Sequence, residues 1–435
     1  METSAIMQLK TLTAFAALCF APIFASAQGS IQSGFQHTGD IANPAPWSTY
    51  VTLEDGSRVH FDGASVTHFA NDGSYLSTLY SFPGFLFYGA IAADPAGDSV
   101  LIGEGTNGDV FRVELDGSGA TLLANLPNNY SAAYESPGVV VISAAICGWS
   151  CGNDLVRVNT QTGVTTTLAH VSGPSGPVAF DADGNLLYGP AVDAFPAPAG
   201  SGELWRFDAR LLGNGTLLGD ANATVLCTGI DPVSSIAVDP LMEDLVVTTN
   251  LFDASYAVIA DSILLIRPDG ELKDVVASGI GTYRSHVELR AYGGIGHFRA
   301  YQPAGVILTS MANDMIHSVE PARPGVSIVN NGGNSYAFQV SGAEPNGAML
   351  VTFGNSADHM GFETSYQLGF DFLFHTGLPI NRIRRIGQFF MPCNASGSAS
   401  FPFWDGGNLA GTLVFQAVIT DENGGFIGSS EATFH

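Results

Sequence analysis

The sequence predicts an all-β protein, and three observations support this. The chain has 435 residues with 52 glycines, 28 phenylalanines and only 13% charged residues, a composition typical of short strands joined by tight turns. An acid followed by an apolar strand and a turn glycine returns every 45 to 58 residues. After the last copy, apolar and polar residues still alternate, but the repeat is gone. Together these features predict a six-bladed β-propeller followed by an antiparallel β-sandwich.

The first segment has the pattern of a secretory signal peptide. Lys10 precedes an apolar run, and the small residues Ala25-Ser26-Ala27 follow that run as a cleavage site. The run is too short to span a bilayer and no later stretch is long enough, so we expect no transmembrane segment. We expect residues 1–27 to be removed after Ala27, and the mature protein to be secreted to the periplasm, the cell surface or the medium.

The repeat defines the blades. Its acid opens phrases such as "GDVFRVELDG" and "NDLVRVNTQTG". The repeated acids are Asp109, Asp154, Glu203, Asp261 and Asp314, and an earlier, weaker copy has Ser65 at this place. Two strands precede each copy and a fourth strand follows it, which is typical of a propeller blade. One blade cannot cover both faces of its sheet, so neighbouring blades must pack around a common axis.

We count six copies between Tyr50 and Glu320, and we assign residues 28–322 to the propeller. In the sixth copy, "HFRAYQPAGVILTS" reads as the first two strands, and the fourth strand is missing. The N-terminal stretch "SIQSGFQH" could supply it and close the ring. The alternative is a seventh blade in the irregular stretch from Tyr283 to Ala300.

Residues 325–435 predict a separate β-sandwich, because strands such as "AMLVTFGN" and "GTLVFQAVITD" alternate with turns such as "EPNG". The closing "LVFQAVITDENGGFIGSSEATFH" resembles C-terminal β-sandwich modules of uncharacterised secreted bacterial proteins. Arg382, Arg384 and Arg385 in "INRIRR" form the basic cluster of an acidic chain. We interpret them as a charged edge strand that discourages aggregation, with contact to the acidic propeller or to an anionic glycan as alternatives.

The phrase "GPVAFDADGNLLYG" followed by "GELWRFD" resembles the repeat of NHL-type and gluconolactonase-type six-bladed propellers over about Tyr50 to Glu320. This resemblance implies a fold that hosts many activities. Within the phrase, Asp181-Ala-Asp183-Gly-Asn185 also matches the start of a calcium loop, but Val192 stands where an EF-hand places its closing glutamate. We interpret it as the hairpin turn between the first two strands of a blade, with a calcium loop as the alternative.

Charge and cysteines restrict the partners and the compartment. A net charge of −25 repels phosphate backbones, so we expect no nucleic-acid partner. In an oxidising compartment Cys147 and Cys151 in "CGWSC" are expected to form a local disulfide, with free thiols as the alternative. Cys227 and Cys393 are predicted to be lone buried cysteines.

A ligand site is expected where the loops between second and third strands and the loops between blades open on the same face. Candidates on these loops are Glu104, Trp149, Asp193, Asn250, Phe252 and Asp253. Aromatic rings beside acids and amides suit sugars or peptides. The repeated acid, in contrast, is present in nearly every copy, and we interpret it as capping a turn or bonding backbone amides at a strand start.

The best candidate for a metal or acid–base site is "SHVELRAYGGIGH", where His286, Glu288 and His297 could form a cluster near the axis. His286 and Glu288 share one side of a strand, but we interpret these residues first as ordinary packing, with the metal or acid–base site as the alternative. The gluconolactonase resemblance implies one divalent metal held by carboxylates and by an asparagine just before a blade's first strand. Ser175 and Ser234 stand at corresponding places here, a departure from that family's pattern.

The sequence therefore favours a secreted, monomeric binding or scaffold module for an extracellular glycan, peptide or protein, rather than an enzyme. The first alternative is a metal-dependent hydrolase or lyase with its site in the channel, similar to lactonases or to streptogramin-cleaving lyases, using one Ca²⁺ or Mg²⁺ ion. The second is a structural component of an envelope or matrix.

Overall fold

A computed structural model describes residues 30–31, 35–42, 48–53, 55–70, 72–148, 151–238, 244–278, 286–290, 306–310, 315–321, 325–343, 346–358, 364–367, 373–376, 384–385, 391–404, 411–420, 426–429 and 433–435. Within these residues nearly all regular structure is β-strand. The exceptions are a four-residue α-helix, α1 (Ala209–Leu212), and the 3₁₀ turns Asp220–Asn222 and Ser356–Asp358. The predicted all-β class is confirmed.

The described residues before position 322 form twenty-five strands. The chain begins with β1 (Ser30–Ile31) and β2 (Phe35–Ala42). Blade one contains β3 (Thr49–Thr52), β4 (Arg58–Phe61), β5 (Ser65–Phe69) and β6 (Tyr75–Ser81). Blade two contains β7 (Tyr88–Ala93), β8 (Ser99–Glu104), β9 (Asp109–Glu114) and β10 (Ala120–Asn125). Blade three contains β11 (Asn129–Ser136), β12 (Val139–Ala144), β13 (Asn153–Asn159) and β14 (Thr165–Val171).

The remaining blades follow the same plan. Blade four contains β15 (Val178–Phe180), β16 (Leu186–Tyr188), β17 (Gly202–Phe207) and β18 (Thr224–Ile230). Blade five contains β19 (Val233–Val238), β20 (Leu245–Phe252), β21 (Val258–Ile266) and β22 (Leu272–Ser278). Blade six contains β23 (His286–Arg290), β24 (Val306–Ser310) and β25 (Met315–Pro321). In each blade, consecutive strands pair antiparallel in chain order.

The six blades form a closed ring. Their first strands, β3, β7, β11, β15, β19 and β23, contact one another in that order, and β23 contacts β3. The alternative of a seventh blade is wrong, because the stretch that was to hold it supplies β23, the first strand of blade six. The expectation that "HFRAY" forms this strand is wrong too, since His286–Arg290 pairs with Val306–Ser310.

The start of the chain completes the last blade. Strand β2 pairs antiparallel with β25 and is the fourth strand of blade six, as the sequence predicts. The closing strand spans Phe35–Ala42, later than the quoted "SIQSGFQH", because Ser30–Ile31 pairs instead with the edge of blade five as β1.

The core lies between neighbouring blades. All residues of the second strand of blade two are buried. Val100 and Ile102 pack with apolar residues of blade one, whereas Leu101 packs with those of blade three. Successive side chains of a strand point to opposite faces, so one strand fills two interfaces. Burying each such side chain contributes about 1.5–3 kcal/mol.

The C-terminal residues form further antiparallel sheets. The strands are β26 (Gly325–Gly332), β27 (Ser335–Ser341), β28 (Ala348–Asn355), β29 (Thr364–Gln367), β30 (Leu373–Thr376), β31 (Arg384–Arg385), β32 (Met391–Pro392), β33 (Ala399–Trp404), β34 (Leu413–Thr420), β35 (Phe426–Ser429) and β36 (Thr433–Phe434). One sheet has the order β26-β27-β33. In another, β28 pairs with β31, β32 and β34, and β34 pairs with β35 and β36.

These two sheets share an apolar core. Phe338 of the first sheet packs with Met349, Val351 and Phe415 of the second. Arg384 and Arg385 form an edge strand of the second sheet, where the sequence predicts a charged edge, and Arg382 lies outside the described residues. The assignment of residues 325–435 to a separate sandwich domain stays a prediction.

The described residues contain no helix long and apolar enough to cross a membrane. The predicted signal peptide, residues 1–27, lies outside them.

Candidate functional site

One face of the ring carries most of the candidate residues. Because each blade is an antiparallel meander, its loop from second to third strand and the connection to the next blade open at the same end. We call this end the channel face. It includes residues 82–87, 105–108, 145–148, 151–152, 189–201 and 253–257, and the ends of the strands that flank them.

Residues 181–185 form a turn between the first two strands of blade four, at the end of the ring opposite the channel face. Oδ1 of Asp181 accepts hydrogen bonds from the backbone N–H of Asp183 at 3.1 Å and of Asn185 at 2.8 Å. Its Oδ2 accepts from Nδ2 of Asn185 at 2.8 Å. Gly184 has a φ of 78°, which this turn requires. Both carboxylate oxygens therefore serve the hairpin, as the turn interpretation expects.

The repeated acids bond side chains within their own blades. Asp109 accepts from Nδ2 of Asn125 at 2.9 Å, and Asp154 lies 2.6 Å from Nδ1 of His170. Glu203 accepts from Nε1 of Trp205 at 2.6 Å. These three acids are thus structural, but their partners here are side chains rather than the backbone amides expected from the sequence, and Asp261 is buried. Asp314 lies outside the described residues.

Glu104 is buried at the channel end of blade two. Its side chain is only 1% exposed, and Oε2 accepts from the backbone N–H of Asn107 and, at 2.8 Å, of Gly108. Oε1 has no hydrogen-bond partner within the described part of the chain. The carboxylate anchors its own loop instead of facing solvent.

Asn129 joins blades two and three beside Glu104. Its Nδ2 donates to the backbone carbonyls of Glu104 at 2.8 Å and Leu126 at 2.9 Å, and Oδ1 accepts from the N–H of Ala90 at 3.3 Å. A Cβ at Gly103 would collide with Oδ1 of Asn129, so glycine is required there. Sequence reasoning missed Asn129, although "PNN" just before a first strand is a recognisable signal.

Ser175 takes the equivalent place at the next junction. Its hydroxyl donates to the backbone carbonyl of Ser143 at 2.9 Å and lies 3.1 Å from that residue's Oγ. Nδ2 of the buried Asn153 donates to Oγ of Ser143 and to the hydroxyl of Tyr188 at 3.2 Å. Burial raises the pKa of Tyr188. Neutral hydroxyls and an amide therefore fill this position.

Ser234 and Asn250 form the corresponding link in blade five. Nδ2 of Asn250 donates to Oγ of Ser234 at 2.6 Å, and that hydroxyl also contacts Thr248 at 2.9 Å. Asn250 is 2% exposed, so it stabilises the blade rather than lining an open surface. The predicted ligand role of Asn250 stays a proposal.

The other predicted ligand residues are spread around the face. Phe252 and Asp253 lie on blade five and the exposed Asp193 lies on blade four, while Glu104 is on blade two. Hydrogen bonds from the Ser255 hydroxyl and from the backbone N–H of Ala257 and Ser255 lower the pKa of Asp253. Trp149 lies outside the described residues.

Cys147 and Cys151 are joined in a disulfide with Cα atoms 5.9 Å apart. It closes the loop between the second and third strands of blade three on the channel face. Cys227 and Cys393 are free cysteines; Cys393 is buried as predicted, whereas Cys227, on the edge strand of blade four, is only half-buried.

Two of the three metal candidates lie on a strand near the ring axis. The backbone of His286 and Glu288 belongs to β23, the innermost strand of blade six, and His297 lies outside the described residues. Elsewhere in the described chain, no three His, Cys, Asp or Glu residues group as metal ligands do. Among the channel-end groups described above, Glu104 is a single carboxylate, and the others are amides and hydroxyls engaged in hydrogen bonds. These described donors do not fit a divalent cation, which prefers several carboxylate or carbonyl oxygens.

Exposed aromatic rings concentrate on the channel face. Between residues 48 and 278 the described chain exposes six large aromatic side chains, and five of them lie on that face. The five are Phe85, Phe87, Tyr130, Phe195 and Tyr256. Tyr75, at the start of the fourth strand of blade one, is the sixth. Sequence reasoning named none of the five, because burial of an aromatic in a loop cannot be told from the sequence.

Comparisons with solved structures find proteins that match about two thirds of this chain at low sequence identity. A gluconolactonase from Xanthomonas campestris is 15% identical, with 69% of this chain and 99% of that chain covered at a TM-score of 0.47. Regucalcin, a calcium-binding protein from Agrobacterium tumefaciens, is 14% identical, with 67% and 96% covered at 0.45. Virginiamycin B lyase from Staphylococcus aureus is 12% identical, with 66% and 99% covered at 0.40.

No protein-family model matches the sequence, and no curated protein matches it. At these identities the structural likeness concerns the fold and not the activity.

Proposed function

We propose that the protein is a secreted binding module whose ligand site is the channel face. The observation that carries this proposal is the concentration of exposed aromatic rings there, five of the six in the described residues between 48 and 278. An aromatic side chain that stays exposed does not gain the stabilisation of about 1.5–3 kcal/mol that its burial would provide. Rings that are scattered singly need no explanation, but rings gathered on one face mark a binding surface.

The charge of the chain restricts the ligand. A net charge of −25 disfavours anionic ligands and nucleic acid. The ligand classes left are an extracellular glycan, a peptide and a protein. Aromatic rings next to carboxylates suit a glycan or a peptide. A disulfide on this face is consistent with an oxidising compartment, which supports export after cleavage near Ala27.

A binding screen with a surface variant tests the proposal. The mature protein is applied to a glycan array and to a displayed peptide library, beside a variant with Phe85, Phe87, Tyr130, Phe195 and Tyr256 all changed to Ser. We expect hits that the variant loses. Tyr75→Ser is the matched control and should keep them, with circular dichroism checking that each variant folds. Hits that survive the fivefold change, or two screens without hits, contradict the proposal.

A metal-dependent hydrolase or lyase in the channel is the second candidate. The placement of His286 and Glu288 on the innermost strand of blade six favours it. Such an activity would be similar to those for which two of the compared structures, the gluconolactonase and the virginiamycin B lyase, are named. A bound Ca²⁺ or Mg²⁺ would supply a Lewis acid.

Metal analysis tests this second candidate. The purified protein is dialysed and its calcium and magnesium are measured for the wild type and for His286→Ala/Glu288→Gln. One equivalent of metal that the double variant loses supports the enzyme. Equal metal in both proteins, or none in either, counts against it.

A further inference from the structure

Two loops of neighbouring blades meet through a pair of aromatic rings. Phe195, in the loop after the second strand of blade four, stacks on Tyr256, in the equivalent loop of blade five. Their ring centroids are 4.3 Å apart with an angle of 22° between the planes. Phe195 is 52% exposed and Tyr256 is 61% exposed, so each ring contacts the other and still faces water.

The turn that presents Tyr256 is tightly bonded. Oδ1 of Asp253 accepts from the N–H of Ser255 at 2.7 Å, the Ser255 hydroxyl at 2.6 Å and the N–H of Ala257 at 3.0 Å. Tyr256 has a φ of 66°, a left-handed conformation that is uncommon for a residue with a bulky side chain. Such strain persists only where the surroundings enforce it, and it concentrates at functional sites.

The loop of Phe195 is also anchored. The N–H of Gly200 donates to Oδ1 of Asp231 at 2.9 Å, in the connection between blades four and five. The hydroxyl of Ser201 donates to the backbone carbonyl of Pro198 at 2.6 Å. Both rings therefore sit on loops held by hydrogen bonds, and a site formed in advance binds at a lower entropic cost.

The charges around the pair are negative. The loops 189–201 and 253–257 contain no lysine or arginine, while Asp193 and Asp253 lie on them. An anionic ligand would find no countercharge here. A carboxylate is an acceptor for hydroxyl groups, so a polyhydroxylated ligand could bond at the rim while its apolar face covers a ring.

We propose that Phe195 and Tyr256 form a stacking platform for one unit of a neutral saccharide. This inference rests on the proposed binding function and names its ligand class and main contact. In this stacked pair each ring covers the inner face of the other and keeps its own outer face, and such a flat outer face fits the apolar face of a sugar ring. A quaternary ammonium or methylated lysine is instead enclosed by a cage of several rings, and two parallel rings do not enclose a cation.

Calorimetric titrations test the platform. The probes are cellohexaose, mannohexaose and chitohexaose, with heptalysine as the cationic comparison. The variants are Phe195→Ala, Tyr256→Gly, which accepts the positive φ, and the conservative Tyr256→Phe. Tyr75→Ala is the control, because Tyr75 is as exposed as Tyr256 at 61% but lies away from the channel face. We expect at least one hexasaccharide to bind, with Kd raised about tenfold by Phe195→Ala and by Tyr256→Gly, and within about twofold for Tyr256→Phe and Tyr75→Ala.

The other outcomes separate this inference from the proposed function. Hexasaccharide binding that depends on Phe85 and Phe87 but not on Phe195 or Tyr256 overturns the platform and leaves the binding function standing. Heptalysine binding without hexasaccharide binding overturns the saccharide class. If no probe binds and neither screen above gives hits, the platform and the binding function fail together.

Discussion

The backbone of Ile41 in the N-terminal strand pairs with that of Ile316 in the last strand of the ring. This pairing joins the two ends of the propeller within one blade. We expect deletion of residues 28–42 to lower the thermal midpoint by roughly 10 °C or more, because each kcal/mol of lost stability shifts the midpoint by about 2–4 °C in a domain of this size. Differential scanning calorimetry measures the shift.

Deletion of residues 28–34 is the control for that experiment. It removes Ser30 and Ile31, which make only a two-residue pairing with blade five, and leaves the closing strand intact. A small change is expected. If both deletions lowered the midpoint equally, the closing role of β2 would be refuted.

Asn129 is expected to be among the most sensitive buried polar residues. Asn129→Ala removes the hydrogen-bond partner of the N–H of Ala90 and of the carbonyl of Leu126, and one of the two donors to the carbonyl of Glu104, which keeps the N–H of Gly108. Each buried group left unpaired costs about 1–3 kcal/mol, so we expect a loss of about 3 kcal/mol in urea unfolding. Asn125→Ala, at an exposed hydrogen bond, is the comparison and should cost under about 1 kcal/mol. Equal costs for the two variants would show that the junction amide is not special.

The disulfide is expected to contribute modestly. Closing a loop of about five residues stabilises a fold by about 2 kcal/mol in the chain-entropy model. Reduction with dithiothreitol should therefore lower the free energy of unfolding of the wild type by about this amount and leave Cys147→Ser/Cys151→Ser unchanged. Cys227→Ser should respond to reduction as the wild type does. A double serine variant that still loses stability on reduction would assign the effect to other cysteines.

The carboxylate of Asp253 is expected to make a contribution to the free energy of unfolding that depends on pH. Its pKa is lowered from 3.8 in the folded protein by hydrogen bonds from the Ser255 hydroxyl and from backbone N–H groups. Because the folded pKa is depressed, the stabilisation is fully present above the unfolded value and is lost as the pH falls through the folded one. We expect the stability difference between the wild type and Asp253→Ala to be larger at pH 7 than at pH 2.5, by urea unfolding.

Asp253→Asn is the matched control, since its side-chain oxygen still accepts at the turn but does not titrate. Its stability difference from Asp253→Ala should change less between the two pH values. If the stability difference between the wild type and Asp253→Ala were the same at pH 7 and at pH 2.5, ionisation of the Asp253 carboxylate would not stabilise the fold.

The ring could be predicted from the sequence because its cause is local and repeated. Apolar strands such as Ser99–Glu104 pack on both faces, and every copy carries this requirement in its own residues. The first strand of blade six could not be predicted, because "HVELR" and "HFRAY" alternate equally well. Only the pairing of His286–Arg290 with Val306–Ser310 decides between them.

The candidate site was harder to predict. Glu104 and Asn250 are polar residues near loops, which suggests exposure, yet both are buried and bonded to neighbouring groups. The contact between Phe195 and Tyr256 joins residues 61 positions apart on different blades. The repeat places both residues in the loop after a blade's second strand, but these loops differ in length and sequence, so only the packing of adjacent blades reveals the contact.

Joining the first strand to the last also sets the order in which the protein can mature. The partner of Ile41 emerges 275 residues later, so a chain that is still being made has five blades it can begin to assemble and a sixth it cannot finish. Strand β2 therefore has to wait unpaired until β25 has been made, and an unpaired strand edge is the kind of surface that aggregates. A cell that makes this protein would benefit from keeping the amino-terminal segment free until synthesis has passed residue 321.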